Sequence, residues 1–196
     1  LRPKRVRGDY LILAGVLLFV LVTTYYVVIT GISPMPSSRT SRRKINEILN
    51  LAGVCAVVDL GAGWGDLAFS IAKAMPESET MAYELSPFPW LVMKVRNGLF
   101  GPRNVTVRRA DFRKVSLAGT DAVVCYLYSE LLEKVRHKLE AELKPGTLVV
   151  SNVFDIPGWT PEAVHKLYDS QCPQVYVYRV PDRTAAAVAA GVGLAG

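Results

Sequence analysis

Gly61, Gly63 and Gly65 stand at alternate positions just after an apolar run ending in Asp59-Leu60, and Asp66 follows them directly. Glycine has no side chain and tolerates positive φ, so such a turn is tight and its backbone can lie against a ligand. A helix opening from the turn aims its first N–H groups at the same place. Glu84 comes nineteen residues after Gly65, at the end of the next apolar run. An acid at that point accepts hydrogen bonds from both ribose hydroxyls of a bound nucleoside. The third glycine falls one position too early for the Gly-x-Gly-x-x-Gly of dinucleotide sites, and the Gly-Lys-Ser/Thr of phosphate loops is absent. Asp59 and Asp66 instead put negative groups beside the turn, which suits a nucleoside carrying positive charge. Asp66 is equally placed to cap the helix.

These residues need a scaffold. Val54–Leu60, Thr80–Glu84, Val105–Arg109, Asp121–Leu127 and Thr147–Asn152 read as strands. Helical patterns near Asp66–Met75, Pro87–Leu99 and Ser129–Leu143 fall between them, and Ser41–Leu51 reads as a short leading helix. Gln174–Val180 is a last strand, alternating Val175 and Val177 with Tyr176 and Tyr178. Continuous apolar strands separated by helices imply an α/β fold, a parallel sheet with helices on both faces. Such a sheet gathers its strand ends, here the glycine turn, Glu84, Asp111-Phe112 and Tyr126-Leu-Tyr128. Asp111 also fits a simple turn or cap aspartate.

The flanks differ from this domain. Residues 1–44 hold eight basic side chains and one acid, while residues 45–196 hold fifteen basic and sixteen acidic ones. The net charge of +6 therefore belongs to the segment ends. A duplex-binding domain carries its own basic face, so nucleic acid is excluded as partner. No charge occurs from Tyr10 to Ile32, a run long enough to cross about 30 Å of hydrocarbon. The expected organisation is a basic tail at 1–9, one transmembrane helix at 10–32, a linker at 33–40, the domain at 41–183 and a flexible tail at 184–196. Gly31-Ile-Ser-Pro-Met-Pro36 offers no small-residue cleavage site, which favours an uncleaved anchor over a signal peptide. Four basic residues precede the span and four follow it, so charge leaves the orientation open. Three scattered cysteines and two histidines make neither a disulfide framework nor a metal site, and Cys55 and Cys125 read as small buried hydrophobes.

Asp59-x-Gly61-x-Gly63-x-Gly65 resembles the first motif of the class I S-adenosylmethionine-dependent methyltransferases, which have a Rossmann-like sheet. The resemblance implies S-adenosyl-L-methionine as cofactor, with Asp59, Gly61, Ala62, Gly63, Gly65, Asp66, Glu84 and Leu85 around it. It further implies that Asp111 accepts from the adenine amine while Phe112 lies against the ring. Over Ser41 to Val180 the chain resembles a family of membrane-anchored protein-lysine methyltransferases. Its animal members modify the adenine nucleotide translocase and the ATP synthase c-subunit. The N-terminal span, Val58-Asp-Leu-Gly-Ala-Gly63, Tyr83-Glu-Leu-Ser-Pro87, Leu143-Lys-Pro-Gly146 and Pro157-Gly-Trp159-Thr-Pro161 carry that likeness. The chain departs from it with Gly63-Trp64-Gly65-Asp66 in place of Gly-Asp-Gly-Arg. The family implies a membrane-protein lysine as acceptor, and a cofactor that is an intracellular metabolite implies a catalytic domain on the cytosolic or matrix side. Tyr126, Tyr128 and Trp159 would then surround the amine, or else be packing residues. A methyltransferase for a lipid, quinone or other membrane-resident small molecule, and a non-catalytic scaffold, are the alternative functions.

Overall fold

The structure, a computed structural model, describes residues 4–30 and 36–182. The chain divides into two compact units, Leu1–Pro34 and Met35–Gly196. The first contains helix α1, Lys4–Thr30, of 27 residues. It begins inside the expected basic tail, in keeping with the helix propensity of Lys and Arg. Tyr10, Leu11, Leu17, Leu18 and Leu21 are exposed on it. Among the described residues no helix is long and apolar enough to cross a membrane, so the expected span at 10–32 gains no support there. The expected tail at 184–196 and part of the linker lie outside the described residues.

The second unit opens with α2, Arg39–Leu51, two residues earlier than its apolar pattern indicates. Ser38 explains the earlier start, because its hydroxyl accepts from the Ser41 N–H at 3.1 Å and caps the helix. Strand β1, Ala56–Leu60, leads into α3, Asp66–Ala74, and β2, Glu79–Glu84, into α4, Pro87–Phe100. Strands β3, Val105–Arg109, and β4, Ala122–Cys125, follow, then α5, Ser129–Glu142, and β5, Leu148–Asn152. The last described elements are β6, Ala163–Lys166, and β7, Gln174–Arg179. The sequence gives no clear sign of β6, a four-residue strand whose side chains alternate between half-buried and exposed.

The seven strands lie in the order β3-β2-β1-β4-β5-β7-β6. β1 to β5 pair in parallel, and β7 runs antiparallel to both β5 and β6. One face packs Val57, Ala122, Val124, Leu148, Val150 and Val175 under Ile45 and Leu49 of α2 and Leu67 and Ile71 of α3. On the same face, Ala82 and Val105 pack with Phe69 and Met93, bringing α4 over the β2–β3 side. Helix α5 lies on the other face, linked to it through Trp159 and Tyr178 (below), so helices do cover both faces. Chain order leaves β1 in opposite directions, toward β2 on one side and β4 on the other. In open α/β sheets that reversal opens a crevice at the strands' carboxyl ends, the usual place for a ligand.

Candidate active site

The glycine turn borders that crevice. Gly61 and Ala62 both donate backbone N–H groups to the Tyr83 carbonyl, at 3.0 and 2.9 Å, pinning the turn to the end of β2. Ala62 packs inward against the cluster beneath α3 and α4, so its side chain is part of the core. Gly61, Gly63 and Gly65 all have positive φ, of 75°, 55° and 84°. They differ in what surrounds them. A Cβ on Gly65 would stand 2.7 Å from Met93 Cγ, whereas nothing lies within 4 Å of one on Gly63. Gly65 thus lets α3 pack against α4, and Gly63 presents bare backbone. Beside Gly61 lie Leu127 and the Phe112 ring, 3.1 and 3.9 Å from where its Cβ would be.

Three acids meet this turn in different states. Asp59 is buried, and its Oδ2 has no hydrogen-bond partner among the described residues. Burial and then the nearby Glu84 charge push its carboxyl up to about 7, against the opposing Ala68 N–H. Glu84 Oε2 accepts from the Gly63 N–H at 2.8 Å and Oε1 from the Ser86 N–H at 2.7 Å. Each of these oxygens keeps a lone pair for a further donor. Asp66 is engaged elsewhere: Arg96 of α4 donates to its Oδ1 at 3.0 Å and to the Trp64 carbonyl at 2.6 Å. The helix cap falls to Gly65, not Asp66. Asp111 binds Arg113 through both carboxylate oxygens, at 2.8 Å each, and that contact holds its carboxyl below the ordinary range. Leu85 is half-buried, and its carbonyl accepts from Arg109 Nε at 3.4 Å.

At the end of β4 the aromatic residues divide. Tyr126 and Tyr128 flank Phe154, with ring centroids 6.2 and 5.9 Å from it. Trp159 does not join them. Its ring lies 5.8 Å from Tyr178, and its Nε1 donates to Glu140 at 2.7 Å. Glu140 lies on α5, whose N-cap is Tyr128, and stands about 18 Å along the helix from it at 1.5 Å per residue. Of the two readings held for Trp159, packing matches this placement, since it ties α5 to the sheet. Phe154 stands between Tyr126 and Tyr128 instead, presented by a tight turn in which its N–H donates to the Asn152 carbonyl at 3.0 Å. Val153, inside that turn, has φ 73°, a strained geometry for a β-branched residue. Beneath it Asn152 is fully buried, accepting from Ser41 Oγ at 2.6 Å and donating to Ser37 Oγ at 3.2 Å. Cys172 is buried beside both Asn152 and Tyr126. Burial, with the Cys172 contact, pushes the Tyr126 hydroxyl up to about 12. Cys55, expected to be buried, is exposed.

Comparison with known proteins decides the family. The ANTKMT methyltransferase domain matches residues 59–163, more than half of the chain. The chain belongs to that family. Its members are S-adenosylmethionine-dependent methyltransferases. A protein-lysine N-methyltransferase of Saccharolobus islandicus is 30% identical over 148 residues, covering 74% of this chain and 91% of that one. The adenine nucleotide translocase lysine N-methyltransferase of Mus musculus is 34% identical over 135 residues, 66% of this chain and 58% of that one. Among solved structures, an RNA methyltransferase of Salinibacter ruber in complex with S-adenosyl-L-homocysteine has a TM-score of 0.65 at 25% identity, over 76% of this chain and 95% of that one.

The residues of this family member fit its cofactor. A partnerless carboxylate oxygen on Asp59 suits a cationic group, the open side of Gly63 admits close approach, and Glu84 retains acceptor capacity for ribose. Asp66 and Asp111, both ion-paired, are the less available of the expected ligands. Sequence reading missed Phe154, Asn152 and Cys172. An aromatic residue two positions after a continuous buried strand was the available signal for Phe154. The polar network left none, since Ser41 and Asn152 are 111 residues apart.

Proposed function

We propose that this methyltransferase modifies the ε-amino group of a lysine in a membrane-associated protein, working from the cytosolic or matrix side. Residues 10–32 serve as its anchor in this reading. The observation that carries it is the pairing of two facing surfaces. Asp59 and Glu84 end the β1–β2 side of the crevice, and the Tyr126–Phe154–Tyr128 wall ends the β4–β5 side. Bound in the crevice, the cofactor supplies a methyl on an activated sulfonium. Asp59 holds its cationic amino-acid end and Glu84 its ribose, so that the chain contributes chiefly position. The aromatic wall excludes water and attracts a cationic ammonium. A dry, positively charged surrounding lowers the lysine pKa from its reference of about 10.4. Tyr126, with its hydroxyl at about 12, stays protonated at neutral pH, so the lysine proton leaves to solvent and not to this side chain. Support for the acceptor class comes from the names of the relatives, and for the anchor from the uncharged run Tyr10–Ile32.

The test is to incubate the full chain with membranes and radiolabelled S-adenosylmethionine. Label in a protein band, mapped to methyl-lysine, is the expected result. Label in the organic extract indicates a lipid or quinone acceptor, and absence of label a scaffold; either overturns the proposal.

A further inference from the structure

Helix α4 carries an apolar row left exposed among the described residues. Leu91, Val95 and Leu99 are 50%, 50% and 66% exposed, and Phe100 at the helix end is 81% exposed. Their four-residue spacing puts the first three along one side of the helix. Pro89 and Met93, by contrast, are buried. Among the described residues of this unit, the other exposed large apolar side chains, such as Leu51 and Tyr168, stand singly on separate elements. Single ones carry no message, but a contiguous row marks a contact surface.

Charge says what that surface meets. Residues 85–114 contain seven basic side chains and one acid, and the rest of 45–196 contains eight basic and fifteen acidic ones. The near-neutral domain is thus strongly divided, with its positive charge collected on α4, edge strand β3 and the loops beside them. Lys94 on α4, Arg103 just after it, and Arg109 on the face of β3 that packs against α4 are exposed there. The one acid, Asp111, is bound to Arg113. An apolar row bordered by basic side chains is the pattern of a helix lying in the interface of an anionic bilayer.

We propose that the α4–β3 edge docks on an anionic lipid surface. Leu91, Val95 and Leu99 enter the boundary between headgroups and acyl chains, and Lys94, Arg103 and Arg109 sit against the lipid phosphates. This contact goes beyond the anchor proposed above and does not depend on it. Because α4 starts three residues after Glu84, docking would set the mouth of the crevice at the membrane surface, where a lysine close to a bilayer can reach it.

The test uses the full chain with Cys55→Ser, carrying an environment-sensitive fluorophore at Val95→Cys or, as control, at Tyr168→Cys. Vesicles of phosphatidylcholine, with or without phosphatidylglycerol, contain a lipid-borne quencher. The label at 95 should be quenched about threefold or more over the control when phosphatidylglycerol is present. That excess should disappear in phosphatidylcholine alone, and with Lys94→Glu plus Arg103→Glu. Equal quenching at 95 and 168, or quenching at 95 indifferent to lipid charge, overturns the proposal. A spectral shift at 95 caused by polyglutamate without vesicles also overturns it, in favour of an acidic protein partner. Co-sedimentation with the vesicles reports anchoring, and lysine labelling reports methyl transfer, so failure of docking is distinguishable from failure of either.

Discussion

Gly63 and Gly65 are two residues apart and share a positive φ, yet they should fail differently. Alanine at either position meets the left-handed penalty of about 1–2 kcal/mol. At Gly65 its Cβ would also stand 2.7 Å from Met93 Cγ, and overpacking adds about 1–3 kcal/mol. Gly65→Ala should therefore lower the urea midpoint clearly more than Gly63→Ala. Gly63→Ala should fold and lose cofactor affinity, read by titration calorimetry. Asp59 offers a sharper test. Its carboxyl is raised from 3.8 to about 7 in the folded protein. Its contribution to stability is therefore complete below about pH 4 and is lost as pH rises toward 7. Asp59→Asn removes that loss, so without cofactor the variant should melt higher than its parent at pH 8. A cationic ligand favours the ionised form. Cofactor binding near pH 6 should thus release a proton in the parent and none in the variant, measurable in buffers of differing ionisation enthalpy.

Among the elements, the turn after β5 depends on contacts that no local pattern announces. Asn152→Ala deprives Ser41 and Ser37 of their buried partner, a loss of about 1–3 kcal/mol for each group left unsatisfied. It should also loosen the Val153 turn that presents Phe154. Denaturation should show the stability loss, and a fall in kcat with intact cofactor affinity would place the effect at the aromatic wall. Trp159→Phe keeps the ring contact with Tyr178 and gives up the hydrogen bond to Glu140. A loss of about 1 kcal/mol is expected, with unchanged kcat and KM. A selective kcat effect would restore Trp159 to the site. The strands and helices were largely legible, because their apolar runs and caps are local. β6 was not, since four residues held against β7 owe their form to pairing.

For the whole molecule, binding and folding are coupled. Cofactor at a hundred times its Kd should stabilise the protein by about 2.7 kcal/mol. That corresponds to a rise in Tm of roughly 5–11 °C for a domain of this size. Glu84→Ala should abolish the rise while leaving the cofactor-free melt cooperative, both read by scanning calorimetry. A full rise in Glu84→Ala would remove Glu84 from the site.

The sequence alone determined the α/β class, the order of its main strands and the glycine turn with Asp59 and Glu84, because each is written within a few neighbouring residues. The same holds for the charge collected between residues 85 and 114 and for the uncharged run at Tyr10–Ile32. Only the tertiary structure decided that Asp66 is spent on Arg96, that Trp159 serves α5 while Phe154 faces Tyr126, and that Asn152 ties three distant segments together. It also decided that, among the described residues, the apolar side of α4 is exposed. Those outcomes depend on which side chains the chain's crossovers bring within a few ångströms of one another, and the spacing of residues along the chain does not encode it.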